Sequence, residues 1–306
     1  MINNKKCFSK KLAIGYKLRR VLFFSFLSLF LKLNSVDMYI CTCGDTQFYP
    51  QLLNFIGSLH KVNFNEIKEI AVFNLGFTKD QINNLKRIEK VSVYDIEMTH
   101  PDLLKFFPVR PRGRKMRRGY YAWKAVAIKQ ALDMFPYILY VDAGTIILES
   151  LDNVFKHILQ NEHLIISADK PKYTIRTIST RFVIDNLDLE SDDKKHILDK
   201  IGIASGFMGI TKRLYGSFVL PVYNLTYDLR YFANDGTAPL GFNCCVQTLY
   251  GIYARLLDLE VKDWNGSYLS VDGKKINFLL HEGTFRFWGK VNEWKKMREY
   301  IMYKKD

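Results

Sequence analysis

The period of the apolar positions changes repeatedly along this chain. "MYICTC" at 38–43, "EIAVFN" at 69–74 and "KVSVYDI" at 90–96 are short runs rich in β-branched and aromatic residues, which predict strands. Between them, "FYPQLLNFIGSLHKV" at 48–62 and "TKDQINNLKRI" at 78–88 place apolar residues every three or four positions, which predicts helices. Further on, "GYYAWKAVAIKQAL" starts a helix whose Ala125, Ile128, Ala131 or Leu132, and Phe135 share a face, with Lys124 and Lys129 expected to stay solvated. The nearly all-apolar "YILYVD" at 137–142 follows and reads as a central strand. The second half is less regular. A strand is expected at "HLIISAD", a loop-rich span to about residue 190, a helix near "SDDKKHILDKI", a strand at "SGFMGI", a helix over "NCCVQTLYGIYARLL" and a closing strand at "INFLLHEG".

Strands alternating with helices predict an α/β fold with a mostly parallel sheet covered on both faces. No linker or internal repeat divides residues 38–306, which are read as one domain behind a separate segment at 1–37. With 48% hydrophobic and 14% aromatic residues, the chain can bury a substantial core, which argues against overall disorder.

The net charge of +14 changes that picture only locally. Residues 1–20 carry +7 and the run "RPRGRKMRR" at 110–118 carries +6, so the rest of the chain is close to neutral. That distribution speaks against a nucleic-acid surface. The first cluster precedes the uncharged "VLFFSFLSLFL" at 21–31, and a basic flank before an apolar run is the pattern of a signal or membrane anchor with its positive end in the cytosol. The segment is read as a retained, single-pass type II anchor, with a cleaved signal, an interfacial helix and a working chain starting at Met38 as alternatives. Endoplasmic reticulum or Golgi is the expected location, and a secreted or cytoplasmic protein the alternative. Sequons at Asn224 and Asn265 suit a lumenal domain. The five cysteines include no CxxC or zinc spacing, and Cys41, Cys43, Cys244 and Cys245 read as buried small apolar residues.

Candidate chemistry centres on Asp142. In open α/β sheets ligands bind beyond the carboxyl ends of the strands, which is where this acid falls, with Ala143 and Gly144 leaving room for a bulky anionic ligand. Neither GxGxxG nor a P-loop is present. A divalent cation would reconcile the carboxylate with a diphosphate. Thr42 and Asp45 end the first strand, and His281 follows another strand end; a turn or core role competes for each. Trp123 reads as core packing first, and Lys124 as either a solvated residue or a diphosphate contact. The basic run at 110–118, just before the Trp-Lys helix, reads as a lid that screens a diphosphate.

Tyr121, Trp123 and Lys124, followed by the triplet Asp142, Ala143 and Gly144, resemble the signature of GT-A nucleotide-sugar glycosyltransferases, a Tyr-x-Trp-Lys-Pro helix and a strand ending in Asp-Ala-Gly or Asp-Ser-Gly. "ASGFMGI" is similar to the segment lining the donor or acceptor pocket, and "LLHEGTFRFWGK" to the C-terminal segment in which a histidine completes a metal site. The resemblance implies a GT-A domain that moves a sugar from a nucleoside diphosphate sugar to a hydroxyl of a glycan, protein or lipid. Thr42, Asp45, Trp123, Lys124, Asp142, Ala143 and Gly144 would bind the donor, and Asp142 with His281 would hold Mn²⁺ or Mg²⁺. Asp235, Asp263 and Glu282 are candidates for a general base. The chain departs from the pattern at Gly144 in place of a second acid, at Ala125 in place of proline, and at Val246 before Gln247 in place of an acid. These departures keep open a GT-A-like binding protein without turnover; a basic membrane-surface or nucleic-acid binder is a weaker alternative.

Overall fold

The computed structural model describes residues 36–108, 116–168, 170–241, 245–263, 268–271, 273–279 and 296–305. Met38–Asp306 form one compact unit. In chain order the elements are β1 (Met38–Gly44), α1 (Tyr49–Asn63), β2 (Ile67–Asn74), α2 (Lys79–Arg87), β3 (Val91–Asp95), β4 (Phe106–Pro108), β5 (Met116–Arg118), α3 (Trp123–Met134) and β6 (Tyr137–Val141). There follow β7 (Ile146–Ile147), α4 (Asp152–Asn161), β8 (His163–Ile166), the short α5 (Ile175–Ile178) and α6 (Arg181–Asn186), and β9 (Phe207–Thr211). The remainder is α7 (Leu220–Asn224), α8 (Val246–Leu256), β10 (Val261–Lys262), β11 (Tyr268–Val271) and β12 (Lys274–Leu279).

Local chemistry sets the helix ends. Proline in the first turn and His60 and Lys61 in the last suit α1 to the helix dipole. Thr78 and Gln81 close a capping box on α2. Helix α3 stops at Phe135, whose extended backbone is what the following Pro136 requires.

Seven strands form the main sheet in the order β10-β8-β9-β6-β1-β2-β3. Strand β9 runs antiparallel to β6 and β8, and the other neighbours are parallel. Both faces are buried. Cys41, Cys43, Ala71, Phe73, Ile138, Tyr140, Met208 and Ile210 join α3 and α8 in one large apolar cluster, while the alternate residues Ile40, Ile70, Val72, Leu139 and Val141 are equally buried. That explains why these strands read as continuous apolar runs. Two rows of the expected layout change. "SDDKKHILDKI" gives a single helical turn at Lys195–Ile197, since its charges pair locally, as in the Lys195–Asp192 ion pair, and only Ile197 and Leu198 are buried. The strand at "INFLLHEG" is observed as β12, but it lies in a separate antiparallel sheet with β7 and β11 and does not close the main one. No helix among the described residues is long and apolar enough to cross a membrane, and the anchor expected at 1–37 lies outside them except for Val36 and Asp37.

Candidate active site

The chain builds β1, β2 and β3 outward on one side and then returns through α3 to β6 on the other side of β1. The strand order therefore reverses between β1 and β6, and neighbouring connections leave that edge in opposite directions, which opens a crevice beyond the strand ends. Asp45 follows β1 and Asp142 follows β6, so both acids stand at this crevice. A cleft of about 390 Å³ occupies it, with Gly44, Asp45, Phe48, Phe106, Arg117, Arg118, Trp123, Lys124, Asp142 and Gln247 among the residues of its wall.

Each acid meets a cation. The Lys124 ammonium lies 2.8 Å from Asp142 Oδ1, with side-chain exposures of 7% and 21%. The Tyr140 hydroxyl donates to the same oxygen at 2.9 Å, and Lys124 Nζ also reaches the Ser205 carbonyl at 3.3 Å. The other carboxylate oxygen faces Gly206, where an added Cβ would come within 2.7 Å of it. Asp142 N–H in turn donates to the Gly206 carbonyl, so the two turns are clamped together. Asp45 Oδ1 accepts the backbone N–H groups of Gln47 and Phe48, and Oδ2 accepts from Arg118 Nε and Nη2 at 3.3 and 3.2 Å. Arg118 Nη1 ties this pair to the Leu104 carbonyl, and the Trp123 indole N–H donates to the Arg118 carbonyl.

The tight turn before α3 aims its aromatic residues at the cleft. Gly119 takes a positive φ of 49° and any Cβ there would strike the Leu103 carbonyl oxygen. Tyr120 and Tyr121 follow at φ 49° and 67°, and Cys245 opposite them at 54°. Of the seven non-glycine residues with positive φ among the described residues, these three line the cleft, and such strain concentrates at ligand sites. Burial pushes the Tyr121 hydroxyl well above its ordinary range, the Arg117 charge lowers it, and the Asp142 and Cys245 charges raise it further. Burial likewise raises the Cys43 thiol strongly, against the pull of Lys124.

Of the expected donor-site residues, Asp45, Trp123, Lys124, Asp142, Ala143 and Gly144 all line the cleft. Thr42 does not; it is fully buried inside β1, and its hydroxyl has no hydrogen-bond partner among the described residues. Lys124 is not solvated as expected but buried on the apolar helix, and Lys129 pairs with Asp133 and Glu97. Asp235 stays off the cleft wall and caps a turn, accepting from the Thr237 N–H and hydroxyl. Asp263 follows β10 at the far edge of the sheet. Glu282 and His281 lie outside the described residues, as do residues 110–115 of the basic run, whose last two arginines reach the cleft. One participant escaped the sequence reading, whereas the pocket segment expected at "ASGFMGI" does line the cleft through Ala204, Ser205 and Gly206. Tyr140 stands two residues before Asp142, a spacing that puts both on one side of an extended strand. Among the described residues no group of three His, Cys, Asp or Glu side chains could hold a metal ion, so they do not complete the expected Mn²⁺ or Mg²⁺ site.

No family model matches the chain, and its sequence matches no curated protein. Among solved structures, the galactosyltransferase LgtC in complex with donor and acceptor sugar analogues superposes over 89% of this chain and 98% of its own, with a TM-score of 0.51 at 11% identity. An active-site mutant of LgtC gives a TM-score of 0.52 over the same shares. GlyE of Streptococcus pneumoniae TIGR4 gives a TM-score of 0.42 at 12% identity, and this chain spans 45% of its length. The architecture is therefore of the GT-A type, a mixed α/β fold around a mostly parallel sheet. Its likeness to LgtC is one of fold.

Proposed function

We propose that the protein is a glycosyltransferase that takes a sugar from a nucleoside diphosphate sugar and passes it to an acceptor hydroxyl on a glycan, protein or lipid. The observation that carries this reading is the cleft at the β1/β6 switch point, where two strand-end carboxylates meet three basic side chains and exposed apolar groups. Its volume of about 390 Å³ suits a small organic ligand. Phe48 and Phe106 offer apolar surface for a base, and Arg117 offers positive charge to a diphosphate. Cations fixed near the departing diphosphate would stabilise the charge that develops on it as the glycosidic bond to the donor breaks. Attachment to a membrane through the basic and apolar N-terminal segment, in type II orientation in the endoplasmic reticulum or Golgi, belongs to the same reading.

One observation favours a second reading, donor binding without turnover. Both carboxylates on the described cleft wall are ion-paired, and neither Asp235 nor Asp263 is part of that wall. Hydrolysis of the donor separates the two. The test is a thermal-shift panel of UDP and GDP sugars on the full chain, followed by product analysis. A saturating ligand at 100 times its Kd stabilises the fold by about 2.7 kcal/mol. Stabilisation by one nucleotide sugar is the expected result; no stabilisation by any of them would end the proposal.

A further inference from the structure

One oxygen of the Asp142 carboxylate is already committed without a divalent ion. Oδ1 is taken by the Lys124 ammonium at 2.8 Å and the Tyr140 hydroxyl at 2.9 Å, and Oδ2 packs against Gly206. A metal bound at Oδ1 would sit within about 5 Å of Nζ, because metal–oxygen bonds are ~2 Å long, and the two cations would repel in a partly desolvated site. Lys124 is also fixed. It stands in the first turn of α3, where a positive charge opposes the helix dipole, and it stays there because Asp142 and the Ser205 carbonyl hold it.

The charges on the described wall then sort themselves. Asp45 pairs with Arg118, and Asp142 pairs with Lys124. Arg117 also lines the cleft and has no carboxylate partner among the described residues. Its guanidinium lies 5.2 Å over the ring of Tyr121, itself held at a positive φ, and Tyr121 meets the Trp123 ring edge-on at 5.8 Å. A guanidinium resting on a fixed aromatic face keeps its donors in one plane, the arrangement that suits bidentate contact with phosphate oxygens.

We propose that the donor diphosphate is bound without a divalent metal, Arg117 taking its charge while Lys124 supplies the cation at Asp142. This rests on the cleft being a sugar-nucleotide site. The test is calorimetric titration of the full chain with UDP and with GDP, in excess EDTA and in Mn²⁺, alongside Mn²⁺ electron paramagnetic resonance of the protein with and without nucleotide. One nucleotide is expected to bind with the same Kd within about twofold in both buffers, the Mn²⁺ spectrum staying that of the free or nucleotide-bound ion. Arg117→Ala, a change at a partly exposed position, should weaken binding in EDTA roughly tenfold or more at an unchanged melting temperature. Binding that appears only with Mn²⁺, a protein-bound Mn²⁺ spectrum, or a folded Arg117→Ala with undiminished affinity would each overturn the proposal. If neither nucleotide binds in either buffer, the sugar-nucleotide reading itself fails and this inference falls with it.

Discussion

Replacing Lys124 by methionine keeps most of its length and removes its charge, leaving the Asp142 carboxylate beside Tyr140 without its cation. Stranding one partner of a buried ion pair costs about 3–5 kcal/mol. Asp142 retains 21% side-chain exposure, so water screens part of that loss, and about 2–3 kcal/mol is the expected figure. Asp142→Asn strands the opposite charge, with the Ser205 carbonyl and hydroxyl as remaining acceptors for Nζ, and should cost a similar amount. Combining both changes removes both charges. The double variant should then be more stable than the sum of the singles predicts, by about 1–2 kcal/mol. At roughly 2–4 °C per kcal/mol for a domain of this size, each single variant should melt about 4–12 °C lower. Thermal and urea melts of the four proteins supply the cycle. If the single changes leave the melting temperature unmoved, or their costs simply add, Lys124 and Asp142 are not a coupled buried pair, and the assignment of Lys124 as the cation of the site loses its physical basis.

Two further outcomes test the surroundings. His60 is buried, its Nδ1 accepts the Met302 N–H at 3.0 Å, and burial above all, with the nearby Lys90 charge, lowers its pKa to about 4 against the opposing pull of the Glu89 carbonyl. The unfolded chain protonates this imidazole near 6.5, so its contribution to stability is intact above about pH 6.5 and falls away towards pH 4, by up to about 1.4 kcal/mol per pH unit. Melting temperatures measured across that window should slope less in His60→Gln, and an identical slope would remove His60 from the account. Gly206→Ala places a methyl 2.7 Å from Asp142 Oδ2, so the carboxylate that pairs with Lys124 must shift. A loss of about 1–3 kcal/mol together with loss of nucleotide binding is expected; a folded Gly206→Ala with undiminished binding would show that the carboxylate position is immaterial.

The parallel strands and long helices of the first half were legible because each carries its own signals, whereas the short β4–β5 pair falls in a stretch read as a basic loop. The apolar runs of β1, β2 and β6, the capping box of α2 and Pro136 after α3 all act over a few residues, and period alone locates them. The second half depends on tertiary partners. Helices α5 and α6 have only four and six residues and are held by the threonine caps Thr174 and Thr180, so no helical period was there to read. Strand β12 pairs with two-residue β7, a partner too short to predict. For the site, Asp142 could be found because a strand end marks it. Lys124 could not be assigned, since a lysine on an apolar helix looks the same in sequence whether it reaches water or a carboxylate.

The glycine at position 144 and the buried lysine at 124 are two sides of one charge balance. The described cleft wall holds Asp45 and Asp142 against Lys124, Arg117 and Arg118, an excess of one positive charge before any ligand arrives. A second acid at position 144 would cancel that excess, and a diphosphate entering the cleft would then meet a wall with no net attraction for it. Only a further cation could restore the balance, which is the service a divalent ion performs in sites rich in carboxylates. With Gly144 the cleft keeps its positive charge from side chains alone. The departure from an acid-rich motif therefore does not by itself mark a degenerate site; together with the Lys124–Asp142 pair it is what a diphosphate pocket relying on its own cations requires.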